Sequence, residues 1–141
     1  MDSIAWKKIL CPVDLTEDDG PVVEVAADVA RRLGSSLVIL HVAGGVDPQV
    51  VNGLDALRER AIAAGAAEVR TTVADGAPKS TIAHYADEHG FGLVVMGTHG
   101  LTGRAHALAG SVAESTVRTA HCPVMVVHPA WQARAAQEAA A

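Results

Sequence analysis

The residues with the clearest potential for chemistry lie in one glycine-rich segment that runs from Met96 to Ser111. The segment leaves an apolar run of strand length and enters a predicted helix, whose N-terminus supplies free N–H groups and the positive end of the helix dipole. Glycine permits positive φ angles and close backbone approach, so successive N–H groups can point into one concavity. Four glycines are present: Gly97, Gly100, Gly103 and Gly110. This arrangement predicts a binding site for an anion.

The charge of this segment also suits an anion. There is no Asp or Glu between Gly97 and Ala113, although the chain as a whole carries a net charge of −5, and three basic residues are present: His99, Arg104 and His106. An acidic chain lacks the global basic field that nucleic-acid-binding domains use. We therefore expect local backbone geometry to hold the anion, and we expect no nucleic-acid partner.

Several polar residues have both a chemical and a structural interpretation. Ser111 either contacts the anion or caps the helix that it begins, with Glu114 as its partner in a capping box. Asp14, after the first apolar run, is either a ligand contact or a solvated strand-end carboxylate, and Arg104 is either a ligand contact or a solvated loop charge. The remaining histidines have no metal-ligand spacing and are interpreted as structural, so no protein-held metal is expected: His41, His84, His89, His121 and His128.

Particular residues exclude two better known phosphate-binding motifs. A Walker A loop requires glycine before its Lys and Ser or Thr, and in the nearest candidate, residues 76–80, Pro78 occupies that position. A dinucleotide-binding fingerprint requires G-x-G-x-x-G directly after the first strand, where this chain has Pro12-Val13-Asp14-Leu15-Thr16. The glycine-rich segment is therefore a different kind of anion loop.

The elements around this segment follow the pattern of a parallel α/β sheet. Apolar runs of strand length alternate with segments of helical period, which is typical of βαβ units. Four of five predicted strands are nearly continuous hydrophobic runs, as strands buried on both faces should be: residues 9–13, 37–42, 93–96 and 124–127. The more polar run at residues 69–73 predicts an exposed edge strand.

Proline and glycine mark the ends of the predicted helices. The four helices are predicted to begin at Pro21, Asp47-Pro48, Pro78 and Ser111, and to stop at Gly34, Gly65, Gly90 and Ala120. For the first helix, the predicted inward face consists of Val22, Val25, Ala26, Val29, Ala30 and Leu33. For the second it consists of Leu54, Leu57, Ala61 and Ala64, and for the third of Ile82, Ala83 and Ala86.

Length and composition predict one domain over residues 1–129, followed by an Ala-rich tail over residues 130–141. The apolar runs are far shorter than the roughly 20 residues that a membrane helix needs. The first eight residues, MDSIAWKK, contain no long apolar stretch, so no signal peptide is expected. We therefore expect a cytoplasmic protein without a membrane partner.

Cys11 and Cys122 lie in apolar runs without metal-ligand spacing, so both are expected to be buried, reduced thiols.

The spacing of glycine residues in the glycine-rich segment resembles that of a known family. The residues Gly97-x2-Gly100-x9-Gly110-Ser111 match the G-x2-G-x9-G-[ST] signature of the ATP-binding branch of the universal stress protein family. Four shorter pieces resemble other parts of the family in the same order: KILCPVD at 8–14, LHV at 40–42, GAP at 76–78 and HCPVMVV at 121–127. The resemblance thus extends over nearly the whole chain.

The resemblance implies an open, five-stranded parallel sheet of order 3-2-1-4-5 with helices on both faces, a Rossmann-like nucleotide-binding fold. It implies ATP, or ADP or AMP, at the carboxyl ends of the first and fourth strands, with Mg²⁺ or Mn²⁺ on the phosphates. Strand order reverses there, and such a reversal opens a crevice. By position, the phosphates and ribose would be held by Gly97, Gly100, Gly110, Ser111 and Val112, with His99, Gly103 and Arg104 in the same loop. The nucleoside would be surrounded by Pro12, Val13, Asp14, Val42 and Met96.

The function implied is that of a stress-responsive sensor or regulator, whose bound ATP alters a partner interaction or its own assembly. No convincing catalytic set is visible, and a slow ATPase or autophosphorylating enzyme is the alternative. A phospho-receiver domain fits less well, because the last predicted strand ends in Val127-His128-Pro129, where a receiver needs a lysine.

The last predicted strand, at residues 124–127, predicts a homodimer. In a 3-2-1-4-5 sheet the third and fifth strands are the edges, and exposed edges are normally protected by charge or proline. The third strand carries Arg70, whereas the fifth carries no charge and has Pro123 only at its entrance. We expect the fifth strand to pair antiparallel with its copy, as the resemblance also implies. The alternative is a monomer in which the tail from Ala130 covers this edge.

Overall fold

The computed structural model describes residues 6–15, 19–98, 111–128, 134 and 137–138. Five parallel strands form one sheet of order β3-β2-β1-β4-β5, and helices lie on both of its faces. The elements are β1 (Lys8–Val13), α1 (Gly20–Leu33), β2 (Ser36–Val42), α2 (Pro48–Ala63), β3 (Val69–Ala74), α3 (Pro78–Glu88), β4 (Leu93–Gly97), α4 (Ser111–Thr119) and β5 (Val124–Val127). The predicted fold class and strand order are confirmed.

Proline and capping residues begin the helices as the sequence predicts. Pro21, Pro48 and Pro78 stand in the first turns of α1, α2 and α3. The Asp47 side chain caps α2 by accepting a hydrogen bond from the Val50 N–H at 3.0 Å. Gly34 ends α1 in the left-handed conformation, with φ +67°, which costs glycine little.

The core consists of two clusters, one on each face of the sheet. Strand residues alternate between the faces, so Ile9 and Cys11 of β1 pack towards α1 and α2, whereas Leu10 packs towards α3 and α4. Ile9, Leu10 and Cys11 are fully buried. The central strands are therefore covered on both sides, as their continuous apolar sequences predict.

The predicted inward face of α1 is partly wrong. The helix buries Val23, Ala26, Ala27 and Ala30, which follow the i, i+3, i+4, i+7 spacing of one helical stripe. Leu33, predicted to face inward, is 42% exposed. The predicted Val22, Val25 and Val29 are only half-buried at the margins. The stripe of mostly small residues lets the helix approach the sheet closely, and the larger side chains flank it.

Two helix-end predictions also differ from the structure. Ala64, predicted to be buried, is half-buried because α2 ends one residue before it. Ser111 is the first residue of α4 rather than the residue before the helix. Its predicted capping partner, Glu114, instead accepts a hydrogen bond from the Arg118 guanidinium at 2.9 Å.

The two thiols occupy different environments. Cys11 is fully buried in β1, and burial, followed by the nearby Asp19 carboxylate, raises the pKa of its thiol well above the usual value. Cys122 is only half-buried, against our expectation, and burial and Asp87 raise the pKa of its thiol as well. Both cysteines are free, and Cys11 cannot ionise readily while the protein is folded.

We predict that an aromatic disulfide reagent will react with one thiol per native chain and with two in guanidinium. The native thiol should be Cys122, because Cys11 is inaccessible. Stability should also fall as pH rises above about 8.5, since the unfolded thiols lose protons that the folded ones retain. Cys122→Ser should leave the native protein unreactive. Two rapidly reacting thiols in the native wild type would contradict this account.

Candidate functional site

The sheet opens between β1 and β4, where the strand order reverses. Between β1 and β2 the ladder covers the whole of β1, from Lys8–Ser36 to Val13–His41. Between β1 and β4 it contains only the pairs Ile9–Leu93 and Leu10–Val94, although both strands continue beyond them. The carboxyl ends of β1 and β4 therefore form an unpaired crevice, which is the usual place for a ligand in an open α/β sheet.

Pro12 explains why this ladder ends early. The Lys8 carbonyl accepts from the Gly92 N–H at 3.0 Å, so Lys8, Leu10 and Pro12 turn their backbone groups towards β4. Leu10 pairs with Val94, so the next backbone N–H of β1 that could donate to β4 would be that of residue 12, and its acceptor would be the Val95 carbonyl. Proline has no N–H, and the ladder stops before it.

The described predicted site residues lie at the carboxyl ends of three strands and at the start of α4. Pro12 and Val13 end β1 and Asp14 follows it, Val42 ends β2, Met96 and Gly97 end β4, and Ser111 and Val112 begin α4. Val42, Met96 and Val112 belong to one buried cluster on the α3 and α4 face. Met96 is fully buried, so its side chain belongs to the core and does not line an open crevice, contrary to its predicted place around the nucleoside.

The rest of the predicted loop, His99, Gly100, Gly103, Arg104 and Gly110, lies outside the described residues and stays a prediction. Ser111 is exposed. It lines a shallow groove of about 240 Å³ between α3 and α4, together with Lys79, Glu114, Ser115 and Arg118. One cation of this groove, Arg118, is already paired with Glu114.

The turn that follows β1 uses residues that our sequence analysis did not single out. Leu15 adopts φ +66°, an uncommon conformation for a residue with a branched side chain. Its N–H donates to Asp19 Oδ2 at 3.1 Å, and Asp19 is buried at the start of α1. This turn redirects the chain immediately after Asp14. The run of acids in the sequence did not indicate which of them would anchor it.

Thr98 is the second residue that sequence reasoning missed. It follows Gly97 directly, is 5% exposed, and its hydroxyl has no hydrogen-bond partner in the part of the chain that the structure describes. An unsatisfied buried hydroxyl costs about 1–3 kcal/mol. A polar ligand reaching the end of β4 would satisfy it. The site therefore fits a hydrogen-bonding ligand at the position where the glycine motif begins.

Gly97 also has a packing role. A Cβ atom at this position would lie 3.1 Å from Cγ2 of Val22, so a larger residue would press against α1. Because α1 and the end of β4 are this close, the requirement for glycine here does not depend on a ligand.

Within the described residues, no group of three or more His, Cys, Asp or Glu side chains is arranged to hold a metal ion. The same residues contain no helix that is long and apolar enough to cross a membrane.

Comparison with known proteins agrees with this geometry. The sequence profile of the universal stress protein family matches residues 5–128. A universal stress protein of Methanocaldococcus jannaschii is 29% identical over 140 residues, covering 86% of this chain and 82% of its relative. A putative one from Staphylococcus aureus strain USA300 is 33% identical, covering 88% and 85%. A solved universal stress protein in complex with cAMP superimposes with a TM-score of 0.73 at 28% identity, covering 87% of this chain and 97% of that one. The chain belongs to the universal stress protein family.

Proposed function

We propose that this protein binds ATP, with ADP and AMP as weaker or alternative ligands, in the crevice between β1 and β4, and acts as a cytoplasmic stress sensor or regulator. The observation that carries the proposal is the early end of the β1–β4 ladder, directly beside the start of the glycine motif. The relative in complex with cAMP supports an adenine nucleotide as the ligand class. In this proposal residues 1–129 form the nucleotide-binding domain and residues 130–141 a separate tail.

The nucleoside would lie against the ends of β1 and β2. Val13 and Val42 are buried at these strand ends, in the core clusters on opposite faces of the sheet, and the main-chain groups after Pro12 would provide donors and acceptors for adenine. The Asp14 carboxylate is half-buried at the end of β1. A carboxylate accepts hydrogen bonds only, which suits the hydroxyl groups of a ribose.

The phosphates would lie across the end of β4, where the Thr98 hydroxyl and the first N–H groups of α4 would bind them. A helix N-terminus favours negative charge at this position. Mg²⁺ or Mn²⁺ would accompany the triphosphate, and its remaining ligands would be water, as is usual for Mg²⁺ at nucleotide sites.

We predict that Gly110→Val abolishes ATP binding in calorimetry. A branched side chain at this motif position would occupy the space that a phosphate needs and would disfavour a positive φ. Circular dichroism should show an unchanged fold. In wild type, EDTA should weaken ATP binding if a divalent ion accompanies the phosphates. Equal ATP affinities in wild type and Gly110→Val would contradict the proposed site.

We predict that Thr98→Val lowers ATP affinity about tenfold, or about 1.4 kcal/mol, without lowering the melting temperature of the free protein. The substitution removes a buried hydroxyl that has no partner among the described residues, and it would remove a ligand contact when ATP is bound. Thr119→Val is the matched control, because the Thr119 hydroxyl is exposed and donates to the Ser115 carbonyl at 2.8 Å, away from the crevice. If both variants bind ATP like wild type, Thr98 does not contact the nucleotide.

We further propose that the protein is a homodimer through β5. Val124 and Val126 are half-buried and Met125 is 38% exposed, which is more exposure than a strand covered on both faces would have. An apolar groove of about 550 Å³ continues this surface beside α1, with Trp6, Leu33 and Met125 in its lining. A second copy would remove this apolar area from water.

The register of β5 specifies how two copies would pair. The Pro123 carbonyl accepts from the Val94 N–H at 3.0 Å, so Pro123 and Met125 turn their backbone groups towards β4. Val124 and Val126 therefore turn theirs towards the free edge. Antiparallel pairing that uses both residues would place Met125 directly opposite the same residue of the second copy, in a close, non-hydrogen-bonded pair.

We predict that Met125→Glu dissociates the dimer, because it places two like charges opposite each other. Val126→Lys should also do so, but Val126 packs partly against the core of its own chain, so Met125 is the cleaner position. The control is Ile62→Glu, which changes a residue of similar exposure on α2. Sedimentation should show a monomer for Met125→Glu, a dimer for the control, and a restored dimer when Met125→Glu and Met125→Lys are mixed. A monomeric wild type at micromolar concentration would refute the interface.

A further inference from the structure

A further cavity, distinct from the two grooves described above and of about 470 Å³, lies beside α3 at the amino ends of β1, β2 and β3. This volume is within the range of about 300–1,000 Å³ that small-molecule sites occupy. We propose that it binds a small aromatic anion of the aryl carboxylate class. The lining side chains on which the proposal depends are Lys8, Val38, Glu68, Arg70, Tyr85 and Phe91.

The cavity exists because the helices cover this face of the sheet unequally. Leu10, Val38 and Arg70 are cross-strand neighbours on β1, β2 and β3, so their side chains share the face that α3 and α4 cover. Leu10 is buried there, Val38 is half-buried and Arg70 is exposed. The two helices pack against each other, and burial decreases along this row towards β3. The space beyond α3 is therefore bordered by the half-buried Val38 and the exposed cation Arg70.

Aromatic rings form the wall of the cavity. The ring centroid of Tyr85 lies 4.2 Å from that of His89 and 6.0 Å from that of Phe91. Lys8 Nζ lies 4.5 Å from the Phe91 centroid and donates to the His89 carbonyl at 2.5 Å. These contacts hold the wall in place before any ligand arrives, and a planar aromatic ligand packs favourably against such rings.

Arg70 provides the group that would bind the charge of the ligand. Its guanidinium has no ion pair or hydrogen bond to the residues that the structure describes, whereas Lys8 is already engaged. Glu68 is the one acid of the lining, and the cations there are Lys8 and Arg70. A guanidinium binds a carboxylate through two parallel hydrogen bonds, which a neutral aromatic molecule cannot accept in the same way.

This cavity is separate from the nucleotide crevice. Lys8 begins β1 and borders the cavity, whereas Val13 ends β1 at the crevice. Five residue steps along an extended strand cover about 16 Å. The proposal therefore does not rest on ATP binding, and the two ligands would not compete for the same atoms.

The test is an NMR titration of the full chain with 2-naphthoate, monitored by backbone amide shifts. We expect saturable shifts around Val38 and Tyr85. Arg70→Gln should weaken binding at least tenfold, and Tyr85→Leu should weaken it severalfold. Arg118→Gln, which changes an exposed arginine on α4, should bind like wild type. Thermal melting should show that the variants are folded, and because Arg70 is exposed, its variant should melt like wild type.

A neutral analogue and ATP complete the test. 2-Naphthalenemethanol should bind at least tenfold more weakly than 2-naphthoate, since it lacks the carboxylate. Saturating ATP should leave naphthoate affinity unchanged. The proposal is overturned by absence of saturable shifts at about 10 mM naphthoate, a concentration that would fill a site with a Kd of about 1 mM. Equal binding by Arg70→Gln, equal binding of the neutral analogue, or displacement by ATP would also overturn it.

Discussion

The N–H group that Pro12 lacks determines where this sheet opens. On the β2 side, β1 is paired along its whole length, and on the β4 side the ladder stops after Leu10. The central strand β1 keeps its position in the sheet although part of it is unpaired on the β4 side, because β2 and the two core clusters still hold it. The crevice thus lies between central strands that are buried on both faces, and this packing positions the turns that follow them.

The elements around the crevice are held by close packing of small residues. The buried stripe of Val23, Ala26, Ala27 and Ala30 lets α1 approach the sheet, and Gly97 leaves room for Val22 at the end of β4. The turn after β1 depends on the Leu15 N–H bond to Asp19. These contacts place the end of β1, the end of β4 and the start of α1 in one fixed arrangement, which reduces the ordering that a ligand must impose.

The two edges of the sheet differ in a way that fits different partners. On β3, Arg58 donates to the outward-facing Val69 carbonyl at 3.1 Å, and Arg70 adds charge beside it. Such an edge resists pairing with another strand, while its uncovered face leaves space for a small ligand. On β5 the outward groups belong to Val124 and Val126, in a strand without charge. This difference supports the proposed small-molecule site at one edge and the proposed pairing with a second copy at the other.

The sequence alone determined the element order, most helix ends, the family and the location of the crevice between β1 and β4. These follow from local rules: apolar periodicity, the backbone limits of proline and glycine, and the spacing from Gly97 to Ser111. Only the tertiary structure decided that Leu33 faces outward, that Met96 lies in the buried core, that Asp19 anchors the turn after Asp14, and that the Thr98 hydroxyl is buried with no partner among the described residues. It also brought Arg70 into one cavity with Tyr85. The physical reason is that burial and hydrogen bonding depend on which element packs over a residue, and that information is carried by no single segment of the chain.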